Sequence, residues 1–170
     1  MRRYFHFGPG KRKAPAPLKA YRIVKRKFAS TAFSGQGARL YGGRWNSPRI
    51  TVVYTSSTIA LAVLEWRAHL TQWPAPPVMI IEIEFSPTLV TIPARLPHNW
   101  KQLPAPKANA SLGDHWVNSG KSAMLKVPSA IVPDEFNYLI NPSHPEFSKI
   151  ARGRPRLLKV DPCLGPLATS

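Results

Sequence analysis

A short segment around Arg44 combines residue types that bind anions. Gly42 and Gly43 precede the arginine, and paired glycines let backbone N–H groups approach a ligand closely. A guanidinium beside them can donate two parallel hydrogen bonds to one phosphate. The alternative is an ordinary turn with a surface arginine, which is the more frequent case for a Gly-Gly-Arg triplet taken alone.

Two further residues that could take part in a reaction follow, one at the end of a predicted strand and one inside the next predicted helix. Tyr54 stands where a predicted strand runs into a helix, and ligand sites gather at strand ends, although a core tyrosine explains this residue better when it is taken alone. Glu65 shares a side of its predicted helix with Leu61 and other apolar residues. An acid among apolar neighbours is either buried for a purpose or paired, and His69, four residues later, is a candidate partner.

Other patterns argue against several kinds of site. The Gly120-Lys121-Ser122 triplet lacks the earlier glycine of a phosphate-binding loop and leads toward a strand rather than a helix. The five histidines have no metal-ligand spacing and Cys163 is the only cysteine, so no metal is expected. The chain has no Gly-x-Ser-x-Gly turn, and a serine hydrolase is therefore not supported.

The predicted elements mix strands and helices without the rhythm of a parallel βαβ fold, which indicates an α+β fold. Residues 28–48 are rich in Gly, Ser and Asn and predict a long loop. Ser56 to Thr58 offer an N-cap for a helix over residues 59–70, and residues 89–92 predict the second strand of a hairpin. The other predictions are strands at 21–24, 50–54, 78–85, 123–127, 138–140 and 157–160, and short helices at 112–119 and 145–150.

The net charge of +16 is concentrated at the two ends of the 170-residue chain. Residues 1–27 contain ten Lys or Arg and no acid, residues 149–159 contain five and no acid, and residues 28–148 carry a net charge of only +2. Basic ends bind nucleic acid, anionic lipid or acidic proteins, although solvated tails are more frequent. We expect a basic flexible extension at 1–19, one domain at 20–162 and a tail at 163–170.

Sequence features also bear on location. No apolar run is long enough to span a bilayer, and no signal-peptide pattern follows the basic start. A single cysteine excludes an internal disulfide, so a cytoplasmic, reducing compartment is expected. One rival function is a nucleic-acid-binding module, because Arg152–Pro155 resembles the core of a minor-groove AT-hook. A charged loop explains four residues of low complexity better.

Blocks of residues spread along the chain carry a family resemblance. They are Tyr21-Arg22, Phe33–Ala38, Gly42–Asn46, Val53–Ser56, Ala60–Glu65, His69-Leu70, Gly113-Asp114 with Trp116, Ser122, Val127–Ser129 and Asn137–Pro142. Together they closely resemble the RES domain family of NAD⁺-consuming bacterial toxins, which is named after Arg, Glu and Ser signature positions. The resemblance covers about residues 20–162, and the order and spacing of so many blocks make it specific. It departs from the family pattern at Val160–Leu164.

The resemblance implies a fold and a site. The implied core is like that of ADP-ribosyltransferases, with small mixed β-sheets flanked by helices and NAD⁺ bound in a cleft as substrate. The implied catalytic residues are Arg44, Tyr54 and Glu65. The residues implied to bind the dinucleotide are Tyr21, Arg22, Gly43, Arg44, Ser122 and Asn141.

The reaction that the resemblance implies needs only one carboxylate. Nicotinamide leaves NAD⁺ as a neutral ring, because the pyridinium already carries the positive charge, so no acid must protonate the leaving group. A usual glycosidase employs two carboxylates, and the acid is the one that becomes dispensable. Glu65 then stabilises the oxocarbenium-like ribose or holds its hydroxyls. The pyrophosphate is bound by Arg44, Arg22 and the Gly42–Gly43 backbone, and the ring of Tyr54 or Tyr21 stacks on nicotinamide.

The expected function is therefore that of a type II toxin that depletes NAD⁺ by cleaving the nicotinamide–ribose bond, as a glycohydrolase or a phosphorylase. A protein ADP-ribosyltransferase would use the same site. The resemblance also implies a partner, an antitoxin with an Xre-type helix-turn-helix domain that blocks the cleft. Contact with DNA would then be indirect, through the antitoxin, and no membrane is involved.

Overall fold

A mixed eight-stranded sheet organises the chain, and the computed structural model describes residues 15–73 and 75–165. The strand order is β4-β5-β6-β2-β1-β3-β7, and β8 also pairs with β3. This arrangement confirms the predicted α+β class. The strands are β1 (Leu18–Lys25), β2 (Val53–Ser56), β3 (Val78–Phe85), β4 (Val90–Thr91), β5 (Met124–Pro128), β6 (Phe136–Ile140), β7 (Ala151–Arg152) and β8 (Arg156–Leu158).

Three α-helices accompany the sheet in the described ranges: α1 (Gln36–Tyr41), α2 (Ile59–Ala68) and α3 (Lys107–Ser119). Short 3₁₀ helices lie at Arg26–Phe28, Pro87–Leu89, Pro145–Lys149 and Pro162–Leu164. Over residues 15–73 and 75–165, no helix is both long and apolar enough to cross a membrane. Residues 1–14, Pro74 and residues 166–170 lie outside the described residues, and so do most of the predicted extension and tail.

The predicted long loop at residues 28–48 is wrong in its centre, because α1 forms there. Gly35 and Gly42 bound this helix with φ angles of 68° and 71°, and the Gly42 N–H donates to the Ala38 carbonyl at 2.8 Å. Both residues adopt positive φ angles that glycine tolerates better than other residues, so they mark the two ends of the helix here.

The predicted hairpin at residues 89–92 is also wrong. Ser86 caps a 3₁₀ helix that begins at Pro87, and β4 then pairs in parallel with β5, with Val90 opposite Met124. Parallel pairing requires a long crossover, and α3 lies in that connection. The same helix begins at Lys107, five residues earlier than predicted, directly after a proline-rich stretch that masks the helical pattern.

The helix that carries Glu65 forms as predicted, apart from two residues at its end. Thr58 caps α2 by accepting a hydrogen bond from the Leu61 N–H at 3.0 Å. Strand β2 runs from Val53 to Ser56, later than the predicted 50–54, because its pairing with β6 begins at Val53. Only Ser57 and Thr58 separate β2 from α2, so Tyr54 and Glu65 are held by adjacent, directly connected elements.

Both faces of the sheet carry a buried apolar cluster, because successive strand residues point to opposite sides. One cluster includes Ile83, Met124 and Ile140. The other joins Trp45 and Trp116 to Leu139. Gly113 of α3 lies directly against the Trp45 backbone, since a Cβ atom at this position would stand 1.7 Å from the Trp45 carbonyl oxygen. Helix α3 therefore packs directly against the turn that contains Arg44.

We predict that Gly113→Ala destabilises the protein by about 2 kcal/mol or more, because α3 or the Trp45 turn must move to admit the methyl group. Gly37→Ala is the matched control, since Gly37 is also helical and an added Cβ has no neighbour within 4 Å. The control should be neutral or stabilising by up to about 1 kcal/mol. Denaturant unfolding of both variants measures the difference, and equal stabilities would contradict the prediction.

Candidate active site

A cavity of about 1340 Å³ opens beside β1, β2 and α2. It is larger than the roughly 300–1,000 Å³ of typical small-molecule pockets and so has room for a dinucleotide. Six of the eight residues predicted for the site line it. They are Tyr21, Arg22, Gly43, Arg44, Tyr54 and Glu65. Residues from distant parts of the sequence are thus brought to one place.

The Tyr54 hydroxyl is fixed by two hydrogen bonds within the Arg44 turn. It donates to Asn46 Oδ1 at 2.8 Å and accepts from the Trp45 N–H at 3.1 Å. Burial raises the pKa of this phenol above its ordinary value, so Tyr54 keeps its proton at neutral pH. A Cβ atom at Gly43 would lie 2.6 Å from the hydroxyl oxygen, and only glycine allows this close approach.

Asn46 is a structural residue of the site that the sequence analysis missed. Its side chain is buried, and Nδ2 lies within hydrogen-bond distance of the Ala38, Ser47 and Ile50 carbonyls, at 3.0 to 3.1 Å. Its Oδ1 accepts a hydrogen bond from the Tyr54 hydroxyl, so one amide connects α1, the turn and β2. Its position directly after Arg44-Trp45 was visible, but its partners lie in other elements and give no local pattern.

Arg44 reaches across the cavity mouth to a separate loop. Its Nη1 donates to the Trp100 carbonyl at 2.6 Å and to the Gln102 carbonyl at 3.2 Å. The rings of Trp45 and Trp100 stack beside this contact with centroids 6.0 Å apart. No carboxylate of the described residues lies within salt-bridge distance of Arg44, so its charge is not neutralised by an acid. Its remaining N–H groups can donate to an anion.

Arg22 is a second cation held by carbonyl groups. Its Nε donates to the Ala32 carbonyl at 2.6 Å and its Nη1 to the Tyr54 carbonyl at 2.7 Å. Burial lowers the pKa of the guanidinium to about 10, which leaves it charged at neutral pH. The side chain therefore both ties β1 to β2 and adds positive potential to the cavity.

Glu65 is held through one oxygen of its carboxylate. Its Oε1 accepts hydrogen bonds from the Ser129 hydroxyl at 2.8 Å and from Asn137 Nδ2 at 2.6 Å. The predicted partner His69 does not contact the carboxylate. Its Nδ1 lies 2.8 Å from the Glu65 backbone carbonyl instead, because the helix brings that carbonyl alongside residue 69. Neither Ser129 nor Asn137 was among the predicted site residues.

Ser122 and Asn141, also predicted for the site, lie away from this cavity. The Ser122 hydroxyl accepts from Trp116 Nε1 at 3.0 Å and donates to the Met124 carbonyl at 2.8 Å. Asn141 bonds the Val117 carbonyl and the Ser143 N–H. Both side chains are buried and hold α3 and the chain around β5 and β6 in place. The serine and asparagine that reach the Glu65 carboxylate are instead Ser129 and Asn137, which also belong to the blocks that carry the family resemblance.

The cavity is positive apart from a single acid. Arg22, Lys25, Arg44 and Lys101 line it, and Glu65 is the one acid among the residues described there. Among residues 15–73 and 75–165, no group of three or more His, Cys, Asp or Glu stands close enough to hold a metal ion. The arrangement suits an anionic ligand with a region of developing positive charge beside Glu65.

Comparison with known proteins gives consistent matches. The model of the RES domain family matches residues 19–161. A protein named "Toxin Res" from Yersinia enterocolitica is 36% identical over 148 residues, which is 85% of this chain and 97% of the relative. A "Prs ADP-ribosylating toxin" from Sphingobium is 38% identical over 143 residues, or 81% of this chain and 89% of the relative.

A solved structure supports the same fold. A chain from the MbcT–MbcA toxin–antitoxin complex of M. tuberculosis superposes with a TM-score of 0.69, covering 86% of both chains at 15% identity. At that identity the likeness concerns the fold alone.

We predict that Tyr54 remains un-ionised at pH 10, where an ordinary tyrosine is half ionised, because burial penalises the phenolate. The ultraviolet absorbance of phenolate in the wild type, minus that in Tyr54→Phe, isolates this residue. The difference should stay near zero through pH 10. A half-developed signal at that pH, in a variant whose melting temperature shows it to be folded, would contradict the assigned environment.

Proposed function

Because this chain belongs to the RES domain family, we propose that it is the toxin of a toxin–antitoxin pair and that it cleaves the nicotinamide–ribose bond of NAD⁺. The observation that carries the proposal is the placement of Glu65, Arg44 and Tyr54 around one cavity in which cations outnumber the single acid. NAD⁺ combines an anionic pyrophosphate with a ribose that becomes cationic as nicotinamide leaves. The cavity offers groups of opposite charge to both parts.

In the proposed reaction the C–N glycosidic bond breaks heterolytically, and the electron pair leaves with nicotinamide as a neutral molecule. Glu65 stabilises the resulting oxocarbenium-like ribose, which is the role left for a single carboxylate. Water captures the cation to give ADP-ribose and a proton, or phosphate captures it to give a phosphorylated ADP-ribose. Arg44 holds the pyrophosphate, and the Tyr54 hydroxyl keeps the turn that bears it against β2. The expected contribution of the Gly42–Gly43 backbone is not part of the proposal, because their N–H groups donate to the Ala38 and Asn46 carbonyls.

A protein ADP-ribosyltransferase is the second candidate, and the name of the Sphingobium relative favours it. It would use the same bond cleavage but pass the ribosyl group to a protein side chain. Product analysis separates the two, because a glycohydrolase or phosphorylase yields free ADP-ribose or its phosphate in amounts equal to nicotinamide. A transferase yields nicotinamide together with labelled protein.

The partner proposed for this toxin is an antitoxin that blocks the cavity, with an Xre-type helix-turn-helix domain of its own and a carboxylate placed near Arg44. Exposed apolar side chains gather at the cavity mouth, and such clusters mark protein interfaces. They are Phe28, Leu40, Tyr41, Leu103 and Ile131. A toxin of this kind acts on cytoplasmic NAD⁺, and the cytoplasm is the compartment that we propose.

The first prediction of this proposal is that the purified protein releases nicotinamide from NAD⁺ and that Glu65→Gln lowers kcat by about 10²-fold or more. The substitution keeps shape but removes the charge that the transition state needs, so binding of NAD⁺ should weaken far less. Arg44→Ala should instead weaken binding as well as rate, because it loses contact with the pyrophosphate in the ground state. Chromatography of products with and without phosphate, NAD⁺ titration and melting temperatures supply the data.

The activity of the wild-type protein is the first test of the enzyme proposal. If no nicotinamide appears at high protein concentration and without antitoxin, the enzyme proposal is wrong. If Glu65→Gln is folded and fully active, Glu65 has no part in the reaction.

A second prediction concerns the cavity mouth. The double variant Tyr41→Asp/Leu103→Asp should weaken the complex with the cognate antitoxin at least tenfold, because both side chains are more than 80% exposed and would lose apolar contact. Ile92→Asp is the matched control, since Ile92 is 67% exposed but does not line the cavity. Binding titrations on the purified proteins measure the difference. Equal weakening by the variant and the control would place the antitoxin elsewhere.

A further inference from the structure

One oxygen of the Glu65 carboxylate accepts hydrogen bonds from two side chains. Ser129 and Asn137 both donate to Oε1, while no described residue donates a hydrogen bond to Oε2. Ser129 follows β5, Asn137 belongs to β6 and Glu65 belongs to α2, so three separate elements meet at one atom. These two hydrogen bonds restrain rotation of the carboxylate, because rotation would break both of them together.

The amide of Asn137 is oriented by Ser56. These residues are register partners in the β2–β6 pair, so their side chains lie next to each other on the same face. The Ser56 hydroxyl donates to Asn137 Oδ1 at 2.8 Å, which turns Nδ2 toward Glu65. A flipped amide would set Oδ1 against the carboxylate oxygen and repel it. Both residues are at least nine-tenths buried, so water has little access to the hydrogen bond between them.

The hydroxyl of Ser129 is oriented by the backbone that follows it. Its oxygen accepts the N–H groups of Ile131 at 3.1 Å and Val132 at 3.2 Å. With both lone pairs engaged, the hydroxyl proton is left to donate, and Glu65 Oε1 is its acceptor. The side chain is fully buried. The polarity of this contact is therefore set by the protein before any ligand binds.

We propose that Ser56, Asn137 and Ser129 are positioning residues that lock the Glu65 carboxylate through Oε1 and leave Oε2 to act on the ribose. The inference rests on the proposed function of Glu65. Preorganised charge raises kcat because no reorganisation is needed as the transition state forms. Losing a hydrogen-bonding partner that orients a functional group commonly costs 10- to 100-fold in activity in metal sites, and we expect a similar range here.

Two other roles for these residues make different predictions. If they only hold α2 against β6, their removal lowers the melting temperature and leaves the activity of the folded protein unchanged. If Asn137, which lines the cavity, contacts the substrate directly, its removal acts whether or not residue 65 is charged. A positioning residue acts through Glu65, so its effect must disappear when the Glu65 charge is gone.

The experiment measures kcat and KM for nicotinamide release from NAD⁺ for Asn137→Ala, Ser129→Ala and Ser56→Ala, each alone and combined with Glu65→Gln. Each single variant should lower kcat, by about 10- to 100-fold for Asn137 and Ser129, with KM changed less than about threefold. In the Glu65→Gln background each should change kcat by less than about twofold. Melting temperatures, and activity per folded molecule, separate these effects from instability.

Two control variants complete the design. Ser119→Ala removes another serine hydroxyl with two hydrogen bonds, at the end of α3 and away from the cavity, and kcat should stay within about twofold of the wild type. Ser56→Thr keeps the hydroxyl that orients Asn137 and should restore most of the activity that Ser56→Ala loses. If Asn137→Ala does not fold, the Ser129 and Ser56 variants decide the question.

The outcomes are distinct. Losses that multiply with that of Glu65→Gln, or a rise in KM without a fall in kcat, would overturn the inference while leaving the proposed function intact. Unchanged kcat in folded single variants would do the same. A wild type that releases no nicotinamide removes the proposed function, and the inference falls with it.

Discussion

The cavity depends on the close approach of the Arg44 turn to its two neighbours, β2 and α3. At Gly43 the approach leaves no room for a side chain beside the Tyr54 hydroxyl, and at Gly113 it leaves none beside the Trp45 carbonyl. Asn46 closes the arrangement, because its Nδ2 lies within hydrogen-bond distance of three carbonyls and its Oδ1 accepts a hydrogen bond from the Tyr54 hydroxyl. If either glycine carried a methyl group, the turn or the neighbour that it contacts would have to move. The position of the main anion-binding candidate is thus decided by close contacts of the turn with the Tyr54 side chain of β2 and with α3 at Gly113.

The charged side chains of the site are all held by neutral groups, and this suits the proposed chemistry. Arg22 and Arg44 are bonded to main-chain carbonyls and not to acids, so their positive charge is oriented but not cancelled. Glu65 is bonded to neutral donors, Ser129 and Asn137, so its negative charge is likewise oriented but not cancelled. Carbonyls and amides therefore do the positioning, and the ionic charges stay available to a ligand. Such uncancelled charges can act on the charged parts of a substrate.

Two kinds of surface surround this arrangement. The cavity mouth is apolar and exposed, with Tyr41 and Leu103 standing furthest into solvent. The outer edge of β3, where β7 and β8 pair, is instead exposed and rich in arginine. Arg152 there lies over the rings of Phe33 and Phe147, so part of the basic stretch is bound into the fold. The arginine-rich segment at β7 and β8 thus pairs with β3, whereas the cavity opens beside β1, β2 and α2.

The sequence by itself determined the features that depend on neighbouring residues: the class of fold, α2 with its cap, β3, and the three residue types Arg44, Tyr54 and Glu65, whose blocks resemble a known family. Tertiary structure alone decided which serine and which asparagine face Glu65. Ser122 and Ser129 stand at opposite ends of β5, and Asn137 and Asn141 lie four residues apart, so local pattern does not distinguish them. The choice follows from the β2–β6 register, which sets Asn137 opposite Ser56, and from the turn after β5. Strand register is a long-range property, set by how whole faces pack, and it was therefore not readable from the residues in order.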